Sequence, residues 1–178
     1  FELPSGLFFV FEPGGQIEFG SPPLTAAEGA TFDSLMEETL QILNGIENKL
    51  GIIYLATGFL PNRARSPLLL QTPRYTAMQR HLSQKGRRGL EMMKGTASIH
   101  LHVAINSLEE IPSLFNRVCT LASETAFRMS PVRRDIWDNT DPSRSGAAPC
   151  ASGSGDVQTW VAAYVQSVLD ADHLETGK

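Results

Sequence analysis

Two runs of β-forming residues, LFFVFE at 7–12 and QIEFG at 16–20, are separated by only Pro13-Gly14-Gly15, and no other stretch constrains the fold as tightly. Proline presets the backbone at one turn position and glycine permits the positive φ that a type II turn requires next, so a hairpin or bent strand pair is expected. The turn also brings its flanks together. Glu12 and Glu18 stand on either side of it. Two carboxylates beside a glycine backbone that phosphate can approach are the hard oxygen ligands a magnesium–nucleotide site needs. Taken alone, the pattern fits solvated glutamates beside a turn equally well, so the rest of the chain must decide.

Beyond the hairpin, Phe32, Leu35, Met36, Leu40, Leu43, Ile46 and Leu50 recur in steps of three and four, which predicts a helix over 25–50 with one apolar face. Thr25 with Glu28 can form a capping box, Thr31 is a competing start after Gly29, and Gly51 is placed to end the helix. IIYLATGF at 52–59 reads as a buried strand, and TASIHLHVAI at 96–105 as another. Between them a Pro- and Arg-containing loop, 60–72, leads to helices expected around 75–84 and 89–94. Ser107 and Glu110 can cap a helix running towards Phe127, with Pro112 in its first turn. Val157, Trp160, Val161, Tyr164, Val165 and Val168 share a face of a last helix over 157–169, with Asp156 as N-cap; the small-residue stretch 142–156 is a loop. At 178 residues, 42% of them hydrophobic, one globular domain is the expected organisation.

Three further segments carry groups suited to chemistry. His100 and His102 are two apart, so on a strand both imidazoles face the same way, and one or both can ligate a metal or hydrogen-bond a phosphate. Two histidines on a half-solvated sheet face would look the same. In Ser130-Pro-Val-Arg133-Arg134-Asp-Ile-Trp137, Arg133 and Trp137 are one helical turn apart and can wall one pocket; Asp141, Arg144 and Gly146 follow. The planar fork of arginine clamps carboxylate or phosphate, although a surface ion-pair cluster is the commoner fate of arginines beside aspartates. Arg74 follows a proline-fixed turn in Thr72-Pro-Arg74-Tyr75.

Charge and cysteine content narrow the partners. Fifteen Lys and Arg against nineteen Asp and Glu leave a formal charge of -4, which offers no broad attraction to nucleic acid or an anionic membrane. No apolar stretch approaches the roughly 18 residues of a membrane-spanning helix, and Glu2 sits where a signal peptide needs a basic residue. Cys119 and Cys150 form neither a disulfide framework nor a zinc pattern, which fits a reducing, cytoplasmic setting with Cys119 as helix packing.

Taken in order, EPGGQIE, PRYTAM, GLEMMKGTAS and RRDIW followed by Asp141, Arg144 and Gly146 resemble the glutamate-cysteine ligases of plants, proteobacteria and actinobacteria, over roughly residues 8–150. The resemblance implies an α+β fold related to glutamine synthetase: an antiparallel β-sheet funnel with the site on its inner face and helices over its outer face. It also implies chemistry, in which ATP phosphorylates the side-chain carboxylate of glutamate and an amine, cysteine by default, attacks the acyl phosphate. Magnesium and arginine would offset the charge crowded on the transferring phosphate. By position, Glu12, Glu18 and His100 would be metal ligands, and Gln16, His102 and Arg133 would contact the nucleotide. Arg74, Met92, Met93, Thr96, Trp137 and Arg144 would line the substrate end, with Arg74 and Arg133 serving the reaction itself.

The chain departs from that pattern in places. Plant members carry Gln-x-Asn-x-Asp where this chain has His100, His102 and Ala104, while some bacterial members place a histidine ligand at the first of these positions. The Gly-x-Glu-x-Glu strand that opens these enzymes is not found upstream of Phe1, which begins in an apolar run without a methionine. Residues 122–130 are too short for the family's Asn-Ser-Pro stretch and glycine loop. Residues 1–178 are therefore expected to be one ligase-like domain lacking terminal and loop sequence. The lost aspartate at Ala104 keeps two alternatives open: a non-catalytic homologue that binds glutamate or nucleotide, or a carboxylate-amine ligase with another acceptor.

Overall fold

The computed structural model describes residues 1–123, 129–145 and 157–171; Phe127, Gly146, Cys150, Asp156 and the side chain of Cys119 lie outside the described set. The hairpin forms where the pattern put it. Strand β1 (Phe8–Phe11) pairs antiparallel with β2 (Ile17–Gly20), with Val10 opposite Glu18 and Phe11 opposite Ile17. The turn is not type II. Positive φ falls on Gly15 (89°), not Gly14, with Gly15 N–H donating to Glu12 O at 2.9 Å and Glu12 N–H to Gln16 O at 2.8 Å. This is a three-residue hairpin loop closed by a left-handed glycine. Gly14 is needed for a different reason: a Cβ there would lie 2.4 Å from Lys94 O.

Helix α1 (Gly29–Leu50) starts three residues later than a Thr25 cap would give. The Glu28 carboxylate accepts from Thr25 N–H (2.7 Å) and from the Thr25 hydroxyl (2.8 Å), which spends the hydroxyl on the glutamate instead of on a helix N–H. Gly51 ends the helix in the left-handed conformation (φ 65°), donating to Glu47 O at 2.8 Å. Of the expected apolar face Leu35 is buried, but Phe32, Met36 and Leu40 remain exposed.

The two apolar runs at 52–59 and 96–105 do not form strands. They meet at one bridge, Phe59 with Thr96, flanked by Leu60 N–H to Gly95 O (2.8 Å) and Ala97 N–H to Gly58 O (3.2 Å). Alternation marks a segment fit for a sheet, but a strand exists only when a neighbouring backbone pairs with it. Beyond Ala97 no ladder partner occurs among the described residues, and Ile99 is fully exposed. The antiparallel sheet of the described residues is therefore the β1–β2 hairpin.

Packing centres on α3 (Gly89–Gly95), which lies against the 3-10 turn Arg63–Arg65, α2 (Pro73–Lys85) and α5 (Pro131–Asp138). Leu82, Met93 and Ile136 are buried there. Both α2 and α5 start with a proline behind a hydroxyl cap: Thr72 Oγ1 accepts from Tyr75 N–H (3.3 Å) and Ser130 Oγ from Arg133 N–H (3.4 Å). A second pairing joins α4 (Ile111–Ser123) to α6 (Val157–Leu169), with Phe115 edge-on to Trp160 at 5.4 Å. The 3-10 turn Leu108–Glu110 precedes α4; Glu110 accepts from Asn106 N–H at 3.3 Å, and Ser107 gives no side-chain cap.

The end of α5 is tied to α2 by a buried ion pair. His81 Nε2 lies 2.6 Å from Asp141 Oδ2, and both side chains are 2% exposed. Burial alone would raise the Asp141 carboxyl, but hydrogen bonds from His81 and Ser143 outweigh it and hold the group below the ordinary aspartate value of 3.8. A carboxyl depressed in the fold contributes stability that is present above its unfolded value and lost as pH falls through its folded value. Urea denaturation of Asp141→Asn should therefore show a deficit of about 3 kcal/mol at neutral pH, shrinking below about pH 3.8.

Candidate functional site

Residues that alternate along paired strands share a face, so Glu12, Gln16 and Glu18 lie together on one face of the hairpin. The aromatic side chains Phe1, Phe9 and Phe19 stack on the other, with centroids 5.0 and 5.9 Å apart. The Glu12 carboxyl is pushed above its ordinary value of 4.5, first by burial and then by the charge of Glu18 and a hydrogen bond with it; Arg74 and His100 pull the other way. Two carboxylates this close repel when both are ionised, and a bound cation relieves the repulsion. Glu18, Arg74 and His100 are thus within electrostatic reach of Glu12.

The turn is braced from behind. Arg63 donates to Gly14 O (2.7 Å), Leu69 N–H to Pro13 O (2.9 Å), and the buried Lys94 ammonium to Ser66 O (2.7 Å). Burial, and then Arg63, lowers the Lys94 ammonium from its ordinary value. These braces were not singled out in the sequence, because a lysine or arginine bound to main-chain oxygen leaves no pattern of its own.

A second set runs from the hairpin towards α5. Gln16 Nε2 donates to Thr96 O (3.0 Å) and Thr96 Oγ1 to Met92 O (2.8 Å). Arg133 donates to Ala97 O and to Ser98 Oγ, the latter at 2.8 Å. Arg133 and Trp137 do share a face of α5. Buried Arg133 Nε, Trp137 Nε1 and Gln16 Oε1 have no hydrogen-bond partner among the described residues, and orphaned polar atoms of this kind are what a polar ligand satisfies. Met93 belongs to the core at 5% exposure, with Met92 half-buried beside it. Arg74, on the first turn of α2, sits over the Tyr75 ring at 5.5 Å. Arg144 Nε lies 3.4 Å from Asp141, so it joins the His81 pair.

His100 and His102 were expected on one face of a strand, but the segment after Thr96 is exposed and forms none; their rings lie edge-on with centroids 6.5 Å apart. Among the described residues no three His, Cys, Asp or Glu side chains gather closely enough to hold a metal ion. The Glu12–Glu18 pair nevertheless suits a hard cation in donor type and charge, with His100, whose charge acts on Glu12, as a candidate further ligand.

Hairpin carboxylates beside a glycine turn, with Arg74 and His100 acting on Glu12, are groups of the kind that phosphate- and metal-handling sites use. A model of glutamate-cysteine ligase family 2 matches residues 4–126, and the chain belongs to that family. It is 27% identical over 152 residues to glutamate–cysteine ligase A, chloroplastic, of Oryza sativa subsp. indica, covering 78% of this chain and 30% of the relative. The chloroplastic glutamate–cysteine ligases of Arabidopsis thaliana and Solanum lycopersicum are 26% and 25% identical, each over 78% of this chain and 29% of theirs. The chain spans about 30% of the length of the curated relatives it matches. Among the described residues no helix is long and apolar enough to cross a membrane.

Proposed function

We propose that the chain carries the metal, nucleotide and substrate segments of an ATP-dependent ligase that joins the side-chain carboxylate of glutamate to an amine, cysteine by default, within a glutamine synthetase-like sheet funnel and in a reducing, cytoplasmic setting. The observation that carries this reading is the Glu12–Glu18 pair on one hairpin face, with Arg74 and His100 acting on it. Family membership and the relatives' names support it.

A carboxylate is a poor acyl donor, and transfer of a phosphoryl group from ATP gives it a leaving group; the amine then forms the C–N bond and phosphate departs. Such transfer calls for positioning and charge stabilisation far more than for a protein nucleophile. Glu12, Glu18 and His100 would hold magnesium, which when bound supplies charge neutralisation on the transferring phosphate. Arg74 and Arg133 would supply guanidinium groups to the reaction, and Gln16, His102, Thr96, Met92, Met93, Trp137 and Arg144 would shape the nucleotide and substrate ends.

The expected result is ADP release that requires glutamate, magnesium and an amine together, measured across a panel of amines. No ADP with any amine would sink the enzymatic reading. Glutamate or nucleotide binding by calorimetry without turnover would favour a binding homologue, the reading that Ala104 motivates.

A further inference from the structure

The turn that follows α5 is held to α2 by a group that the chemistry above does not use. Asp141 follows α5 and is 1% exposed, and the partner of its carboxylate that crosses to another element is His81, on the buried side of α2. An ionised carboxylate only accepts, so His81 Nε2 carries the proton between them. The remaining partners lie within Asp141's own turn: Ser143 N–H and Oγ–H on Oδ1 at 3.0 and 2.8 Å, Ser145 Oγ on its main chain, and Arg144 Nε at 3.4 Å. The turn is rigid in itself, and His81 ties it to α2.

Helix α5 is short and anchored at one end. Ile136, Thr140 and Asp141 are buried at its C-terminal side, while Pro131 and Val132 at its start are exposed. Arg133 projects from that exposed start to Ala97 and Ser98, the residues that follow Gln16's partner Thr96. Its reach therefore depends on how the helix is held, by Arg88 at Asp135 and by the buried pair beyond its C-terminus. The charges that act on Glu12 are Glu18, Arg74 and His100, so the buried pair acts on the site through geometry.

We propose that His81 and Asp141 are positioning residues: locked together between α2 and α5, they hold α5 in the orientation that delivers Arg133 to residues 97–98 beside the carboxylate hairpin. The functional half of this inference rests on the ligase reading; the structural half does not.

The test compares the full chain with His81→Leu, His81→Gln and Asp141→Asn, by amide hydrogen exchange and by calorimetric titration of ADP with magnesium. His81→Leu should speed exchange in α5 by about tenfold or more with the hairpin unchanged, and weaken ADP binding by a similar factor. His81→Gln, which can still present an N–H to Asp141, should return both to within about threefold of the parent. Loss of fold in general would raise hairpin exchange equally and would not be rescued by glutamine. Unchanged α5 exchange in His81→Leu, or loosened α5 with unchanged affinity, overturns the proposal. Should His81→Leu fail to fold, Asp141→Asn decides by the same criteria. If the parent chain binds no magnesium–ADP the ligase reading fails by itself, and α5 exchange still judges the buried pair.

Discussion

Glu12→Gln is expected to weaken magnesium-dependent ADP binding by about 100-fold while raising the melting temperature of the metal-free chain. The two effects have opposite signs for one reason. Burial and Glu18 raise the Glu12 carboxyl above its ordinary 4.5; such a group contributes stability while protonated and loses it as pH rises through its folded value. When ionised and metal-free, the hairpin therefore holds a charge it would be more stable without. A cation turns that cost into attraction, and glutamine removes both. Glu18→Gln should act in the same direction with smaller effect, because Glu18 is exposed where Glu12 is half-buried. A variant that loses affinity and stability together would point to a damaged hairpin and not to a lost ligand. Calorimetry and thermal melting on the same preparation separate the cases.

Gly86→Ala should cost about 3 kcal/mol by urea denaturation. The backbone angle at Gly86 (φ −125°) suits any residue, so the cost is one of space. An added Cβ would lie 2.1 Å from Thr140 O and 2.3 Å from Asn139 O. Those carbonyls cannot retreat easily: Asn139 O accepts from Arg88 N–H at 3.0 Å, Asn139 Oδ1 from Arg87 at 2.7 Å, and the next residue but one is the buried Asp141. Arg88 adds bridges to Glu91 at 2.5 Å and to Asp135 across the same seam. Gly45→Ala is the control. A Cβ there meets nothing within 4 Å inside α1, and alanine should stabilise that helix by about 0.5–1 kcal/mol.

Local signals in the sequence were reliable where the residue and its partner are close in the chain. The hairpin, the Gly51 stop and the Val157–Leu169 helix all follow from short-range chemistry. The same hairpin pattern put Glu12, Gln16 and Glu18 on one face, because a two-residue period needs no tertiary information. The need for glycine at position 14 was not legible: it comes from Lys94 O, eighty residues away, which a Cβ there would meet. The runs at 52–59 and 96–105 failed as strands for a related reason, since alternation does not name the backbone that must pair with them. His81 was invisible because a single histidine in a helix has no pattern. Asp141 was noticed in its motif, but its buried partner could be found only once α2 and α5 were seen to meet.

The central claim is that the carboxylate hairpin is a metal–nucleotide site, and titration of ADP into the parent chain, with magnesium and then with the metal chelated, tests it most directly. Saturable binding that weakens by about tenfold or more on chelation is the predicted result. Equal affinity with and without the metal, or no binding in either, would contradict it.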